Sequence, residues 1–144
     1  MAIPIADENP THKNHKSYIT IGLIAINVVV YLFFQGGIFA EVDPIITIGF
    51  GLIPSVLWGN NYIDETIFSI AADLTLISYM FLHGGLMHMV SNMLILWVFG
   101  DNIELALGRA QYLLFYILGG VAAALLQAIM LMDSELTLEG ASGA

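Results

Sequence analysis

His88 and Asn92 are the residues whose types and spacing first suggest chemistry. Four positions apart, they share one face of a helix, one turn from each other. An imidazole and a carboxamide so placed can both donate to one anionic oxygen. The plainer alternative is that each bonds a neighbouring helix as packing glue. His83 precedes His88 by five residues, about 140° round an ideal helix, with Gly84-Gly85 between them. That places it in the turn leading into the helix rather than on the same face. Two histidines also raise the question of a metal. The HExxH pattern needs histidines at i and i+4 with an intervening Glu, and this segment has neither. No metal or cofactor is expected, and the absence of cysteine removes thiolate and disulfide chemistry.

A second group lies at the end of the chain, Gly140-Ala141-Ser142-Gly143-Ala144. Small residues around a serine allow a tight turn and the close approach of another backbone. The string differs from the G-x-S-x-G elbow of α/β hydrolases, because the second glycine follows the serine directly. By itself the string reads as a flexible terminus, since such strings occur in many linkers.

The elements that must position these residues are apolar. Of 144 residues 58% are hydrophobic and 10% charged, against roughly a quarter charged in a soluble domain. A chain of this length has too little interior to hide that majority, and disordered chains are poor in such residues. Three long stretches lack Asp, Glu, Lys and Arg, which predicts spans at about 17–40, 76–100 and 110–132. Each meets the roughly 20 residues needed to cross a bilayer. Residues 41–75 are read as an irregular interfacial loop. Pro44, Gly49, Gly51, Pro54 and Gly59 interrupt any helix there, and Trp58 and Tyr62 suit the headgroup level. A kinked fourth span is the alternative.

In the third span Gly119 with Ala123, and Gly120 with Ala124, are small-xxx-small pairs suited to close helix packing. Gln127 extends the Gly119–Ala123 face and is expected to bond a neighbouring helix. Lys13, Lys16 and Arg109 fall on one side of a three-span chain, and the opposite side carries acidic residues without a basic one. The positive-inside rule then predicts a multi-pass integral membrane protein with a cytoplasmic N-terminal tail, residues 1–16. Three basic residues in a chain of net charge −9 exclude nucleic-acid binding.

Joined together, the pieces resemble the rhomboid family of intramembrane serine proteases. The resemblance is carried by Phe81-Leu82-His83-Gly84-Gly85-Leu86-Met87-His88 with Asn92. It continues through Trp97-Val98-Phe99-Gly100-Asp101-Asn102-Ile103-Glu104, Gly108 and Phe115-Tyr116 to Gly140-Ala141-Ser142-Gly143. It implies an all-α membrane protein, a rhomboid-like bundle in residues 17–144 with three transmembrane helices and the start of a fourth. It further implies Ser142 as nucleophile, His88 and Asn92 as oxyanion-hole donors, His83 in support, and Gly140 and Gly143 permitting the turn. Implied partners are the lipid bilayer and transmembrane protein substrates; oligomeric state is left open. The family's general base is a histidine on the sixth helix. This chain ends two residues after Ser142, so the 144-residue polypeptide alone is expected to be an inactive fragment. Two other readings remain: a non-catalytic rhomboid-like protein that binds transmembrane helices, and a small transporter subunit using His88 and Asn92 along a polar path.

Overall fold

The computed structural model describes residues 16–36 and 41–141. The expected tail up to residue 15, and Ser142, Gly143 and Ala144 of the terminal motif, lie outside the described residues. Six helices follow in order: α1 (Tyr18–Phe34), α2 (Pro44–Phe50), α3 (Pro54–Leu57), α4 (Ala72–Ser78), α5 (Leu86–Leu107) and α6 (Arg109–Met130). A 3-10 turn, Tyr79–Phe81, extends α4. The described residues contain no β-strand, only an isolated antiparallel bridge between Leu52 and Leu138.

α5 and α6 form a hairpin joined at a single residue, Gly108, whose φ of +81° favours glycine. Both are long and apolar enough to cross a membrane, with mean hydropathy 1.3 and 2.1, yet only 22% of each apolar stretch is buried in the protein. A core helix of a soluble protein would be covered far more fully. Instead Leu94, Trp97 and Phe99 on α5, and Leu114, Leu118 and Leu126 on α6, face outward, which is the surface a lipid-facing bundle presents.

The inner face of α6 is a stripe at four-residue spacing, Tyr112, Tyr116, Gly120, Ala124 and Ala128. Gly120 lets Met80 of the 3-10 turn lie directly on the helix, where any Cβ would meet the Met80 side chain. Tyr79 and Met80 complete the core with Leu23 of α1 and Leu52. Of the two expected small pairs, Gly120–Ala124 is the buried one. Gln127 lies on the exposed side of α6, which corrects the expectation that it bonds a neighbouring helix: the buried stripe runs one residue later, through Ala128.

The helix carrying His88 begins at Leu86, ten residues beyond the start of the stretch drawn from about residue 76. Glycine is a poor helix former, and Gly84-Gly85 lets the chain break between the 3-10 turn and α5. Within residues 44–63, α2 and α3 have seven and four residues, too short to cross a bilayer. Each starts with proline in its first turn, where a missing N–H is harmless. Asp43 caps α2 by accepting from the Ile45 N–H at 2.9 Å.

α1 packs chiefly on α5, and Glu104 fixes its start. Ser17 provides no side-chain cap. The Glu104 carboxylate, fully buried on α5, accepts instead from the Ile19 N–H at 3.2 Å, the Thr20 N–H at 2.9 Å and the Thr20 hydroxyl at 2.9 Å. A negative charge at a helix N-terminus is favourable both as acceptor and against the helix dipole. Arg109 stands 3.9 Å away and stacks over the Tyr18 ring at 4.7 Å. Lys16 is held at the same end, its carbonyl 3.5 Å from Arg109 Nη2.

Glu104→Ala is expected to destabilise the protein by about 1–3 kcal/mol for each stranded donor that stays buried. Glu104→Gln, which keeps one acceptor oxygen, should lose less. Thermal unfolding in detergent measures both; equal stability of wild type and Glu104→Ala would contradict this role.

Candidate active site

After α6 the chain turns at Leu131–Asp133 and runs back along the 51–61 loop. The loop holds α6 and the segment after it at successive points. Trp58 Nε1 donates to the Ala128 carbonyl in the last turn of α6 at 2.9 Å, and the Ser55 N–H donates to the Ser134 carbonyl at 3.1 Å. Asn60 and Asn61 donate to Asp133 and Glu135 at 3.3 and 3.0 Å. Leu52 and Leu138 exchange two backbone hydrogen bonds of 3.2 and 2.7 Å. The last anchor is Gly140, whose N–H donates to the Tyr79 carbonyl at 2.9 Å.

This path delivers Gly140 onto His88 and Asn92. A Cβ on Gly140 would stand 2.8 Å from both Cε1 and Nε2 of His88 and 3.5 Å from Asn92 Nδ2, and its φ is +119°. Space and backbone conformation both demand glycine here. Ala141 packs beside Tyr31, Met89 and Met93. It also lines a cavity of about 200 Å³ between α5 and α6, together with Asn92, Phe99, Tyr112 and Tyr116.

Two polar side chains of α5, His88 and Asn92, face the docked segment. His88, in the first turn of α5, accepts the Gly84 N–H on Nδ1 at 3.3 Å. A neutral imidazole that accepts on one nitrogen carries its proton on the other, so the nitrogen near Gly140 is the donor. Asn92, one turn on, is buried, and its Nδ2 has no hydrogen-bond partner among the described residues. An unpaired buried N–H costs about 1–3 kcal/mol. Ser91 turns away, donating to the His88 carbonyl at 3.0 Å.

His83 sits ahead of α5, completely buried, its ring edge-on to His88 with centroids 5.4 Å apart. Neither ring nitrogen meets a partner among the described residues. The described residues contain no group of three or more His, Asp or Glu suited to a metal.

Three contributors were not singled out in the sequence. Glu139 packs its carboxylate against Gly84, where a Cβ would collide with it. Tyr79 supplies the carbonyl that ends the docked segment, and nothing in the sequence identifies a main-chain acceptor of this kind. Gln35, fully buried at the end of α1, bonds the His83 backbone. Its signal was available: a carboxamide in an uncharged stretch requires a partner as much as Asn92 does.

The Rhomboid domain family matches residues 72–144, which include all of α4 to α6 and the docked segment. The chain belongs to the rhomboid family. It is similar to the presenilin-associated rhomboid-like protein A, mitochondrial, of Danio rerio, with 49% identity over 41 residues. That match covers 28% of this chain and 11% of the relative, so the chain spans about a tenth of that protein's length. No solved structure matches. The family assignment joins the outward apolar surface of α5 and α6 in identifying a helical membrane protein.

Burial raises the Glu139 carboxyl above its ordinary value, with nearby His88 opposing the rise. A raised folded-state value means that the fold binds this proton more tightly than the unfolded chain does. The contribution is present at low pH and is lost as pH climbs through the window just above the ordinary carboxylate range. Glu139→Gln is therefore expected to be the more stable protein at pH 7, its advantage shrinking as pH falls to the ordinary carboxyl value. Unfolding midpoints of both proteins between pH 7 and pH 4 check this; a constant difference would contradict it.

Proposed function

We propose that the chain carries the nucleophile and oxyanion hole of an intramembrane serine endopeptidase, with Ser142 as nucleophile and His88 and Asn92 as the donors. The reading rests on one observation above all. The Nδ2 of buried Asn92, without a partner among the described residues, and the Nε2 of His88 converge on Gly140, two residues before Ser142. Gly140 and Gly143 permit the close turn, and His83 supports the site from behind His88.

In the proposed reaction Ser142 Oγ attacks the carbonyl carbon of a peptide bond in a transmembrane-segment substrate. The carbonyl oxygen gains negative charge and accepts from His88 Nε2–H and Asn92 Nδ2–H. Donors already fixed in a dry site stabilise that charge without reorganising. The serine proton passes to a general base, which by analogy with the family would be a histidine on a sixth helix. His88 is not suited to be that base, because Gly84 occupies its Nδ1 and Nε2 already bears a proton. No cofactor enters. In the same reading Lys16 and Arg109, together at one end of the bundle, face the cytoplasm with the N-terminus.

In the full-length protein, Ser142→Ala is expected to abolish both cleavage of a single-span substrate in proteoliposomes and fluorophosphonate labelling. Asn92→Ala should lower the cleavage rate by about 10²–10³, the usual loss for one oxyanion donor. A wild-type protein that binds the substrate segment but neither cleaves it nor takes up the fluorophosphonate would replace this reading with that of a non-catalytic binder.

A further inference from the structure

The aim of His88 depends on a side chain 53 positions earlier in the sequence. Gln35 ends α1 with no exposed surface, and its carboxamide is devoted to one residue. Oε1 accepts from the His83 N–H at 2.9 Å, and Nε2 donates to the His83 carbonyl at 3.1 Å. The Gln35 backbone is tied in turn, its carbonyl accepting from the Asp43 N–H at 3.1 Å. A carboxamide that gives to and takes from the same residue does what a neighbouring β-strand would do. It fixes the plane and direction of the His83 backbone and keeps those groups out of any helix.

The next N–H along, that of Gly84, is the one that reaches His88 Nδ1 at 3.3 Å. We infer that Gln35 is a positioning residue for the oxyanion site: by clamping the His83 backbone it points the Gly84 N–H at His88 Nδ1 and so holds the imidazole proton on Nε2, the nitrogen beside Gly140. The inference rests on the serine-protease reading. A histidine whose second nitrogen is not engaged can move its proton between the two, and an Nε2 without a proton offers a lone pair where the oxyanion needs a donor. Around metal-bound histidines, outer partners that fix the ring and tautomer are typically worth about 10–100-fold in affinity or activity, and a loss of that order is expected here.

The test uses full-length protein with ¹⁵N-labelled histidine, in which the ring-nitrogen shifts report the tautomer, alongside kinetics on a single-span substrate. Wild-type His88 is expected as the Nε2–H tautomer. Gln35→Ala, and the similarly sized Gln35→Met, which keeps packing without the two hydrogen bonds, should lose that preference. Both should lower kcat about 10–100-fold with KM nearly unchanged. Either variant retaining both the wild-type tautomer and kcat overturns the inference. So does an Nδ1–H tautomer in the wild type, which needs no variant at all. Failure of the wild type to cleave or to take up fluorophosphonate defeats the protease reading instead, and the tautomer comparison still decides whether Gln35 orients His88.

Discussion

A polar group inside an apolar bundle must find its partner within the protein, because lipid supplies none. That constraint governs both ends of this molecule, with opposite outcomes. At the Glu104 end the buried carboxylate is well satisfied. One carboxylate takes three donors from the start of α1 and faces Arg109. At the His88 end several polar groups are left unpaired: Asn92 Nδ2 and both nitrogens of His83 are buried without partners among the described residues. α5 carries the satisfied Glu104 near its last turn and the unpartnered Asn92 near its start, with His83 just ahead of the helix. Unpaired donors persist in a stable fold when something else over-determines their positions.

Two attachments provide that over-determination, and both are long-range. α1 is held at its beginning by Glu104 and at its end by Gln35, each bonding a partner many tens of residues away. The 51–61 loop holds the end of α6 through Trp58, and the segment after it through Ser55, the two asparagines and the Leu52–Leu138 bridge. What looks like an irregular loop is therefore a template. It returns the chain after α6 to the start of α5, and the precision of the return is limited by one missing Cβ at Gly140. Side chains with polar tips suit this work, since each bond they make also replaces water that the surroundings exclude.

Much of this was legible beforehand. Charge-free runs announced α5 and α6 because a helix that faces lipid has no use for charge. The i, i+4 pairing of His88 with Asn92 could be read directly, and Gly84-Gly85 marked His83 as preceding the helix. Other features were not legible. Gln127 and Gln35 look alike in sequence, each a lone carboxamide among apolar residues. Gln127 lies exposed while Gln35 is buried against His83. Helical periodicity places a residue on a face but does not say which face meets the protein. The start of α5 is likewise not legible in the sequence, because hydropathy runs on unbroken through the 3-10 turn and the break.

The sequence by itself determined what is local: apolar lengths, one-turn spacings and glycines where the chain must bend. These follow from the geometry of a single helix and from the solvent it faces. Only the tertiary structure decided that Gly140 rests on the His88 ring, that Glu104 caps a helix it does not belong to, and that Gln35 clamps the backbone before α5. Each joins residues far apart in the chain through a contact that depends on where whole elements pack. No periodicity within one segment encodes such a meeting.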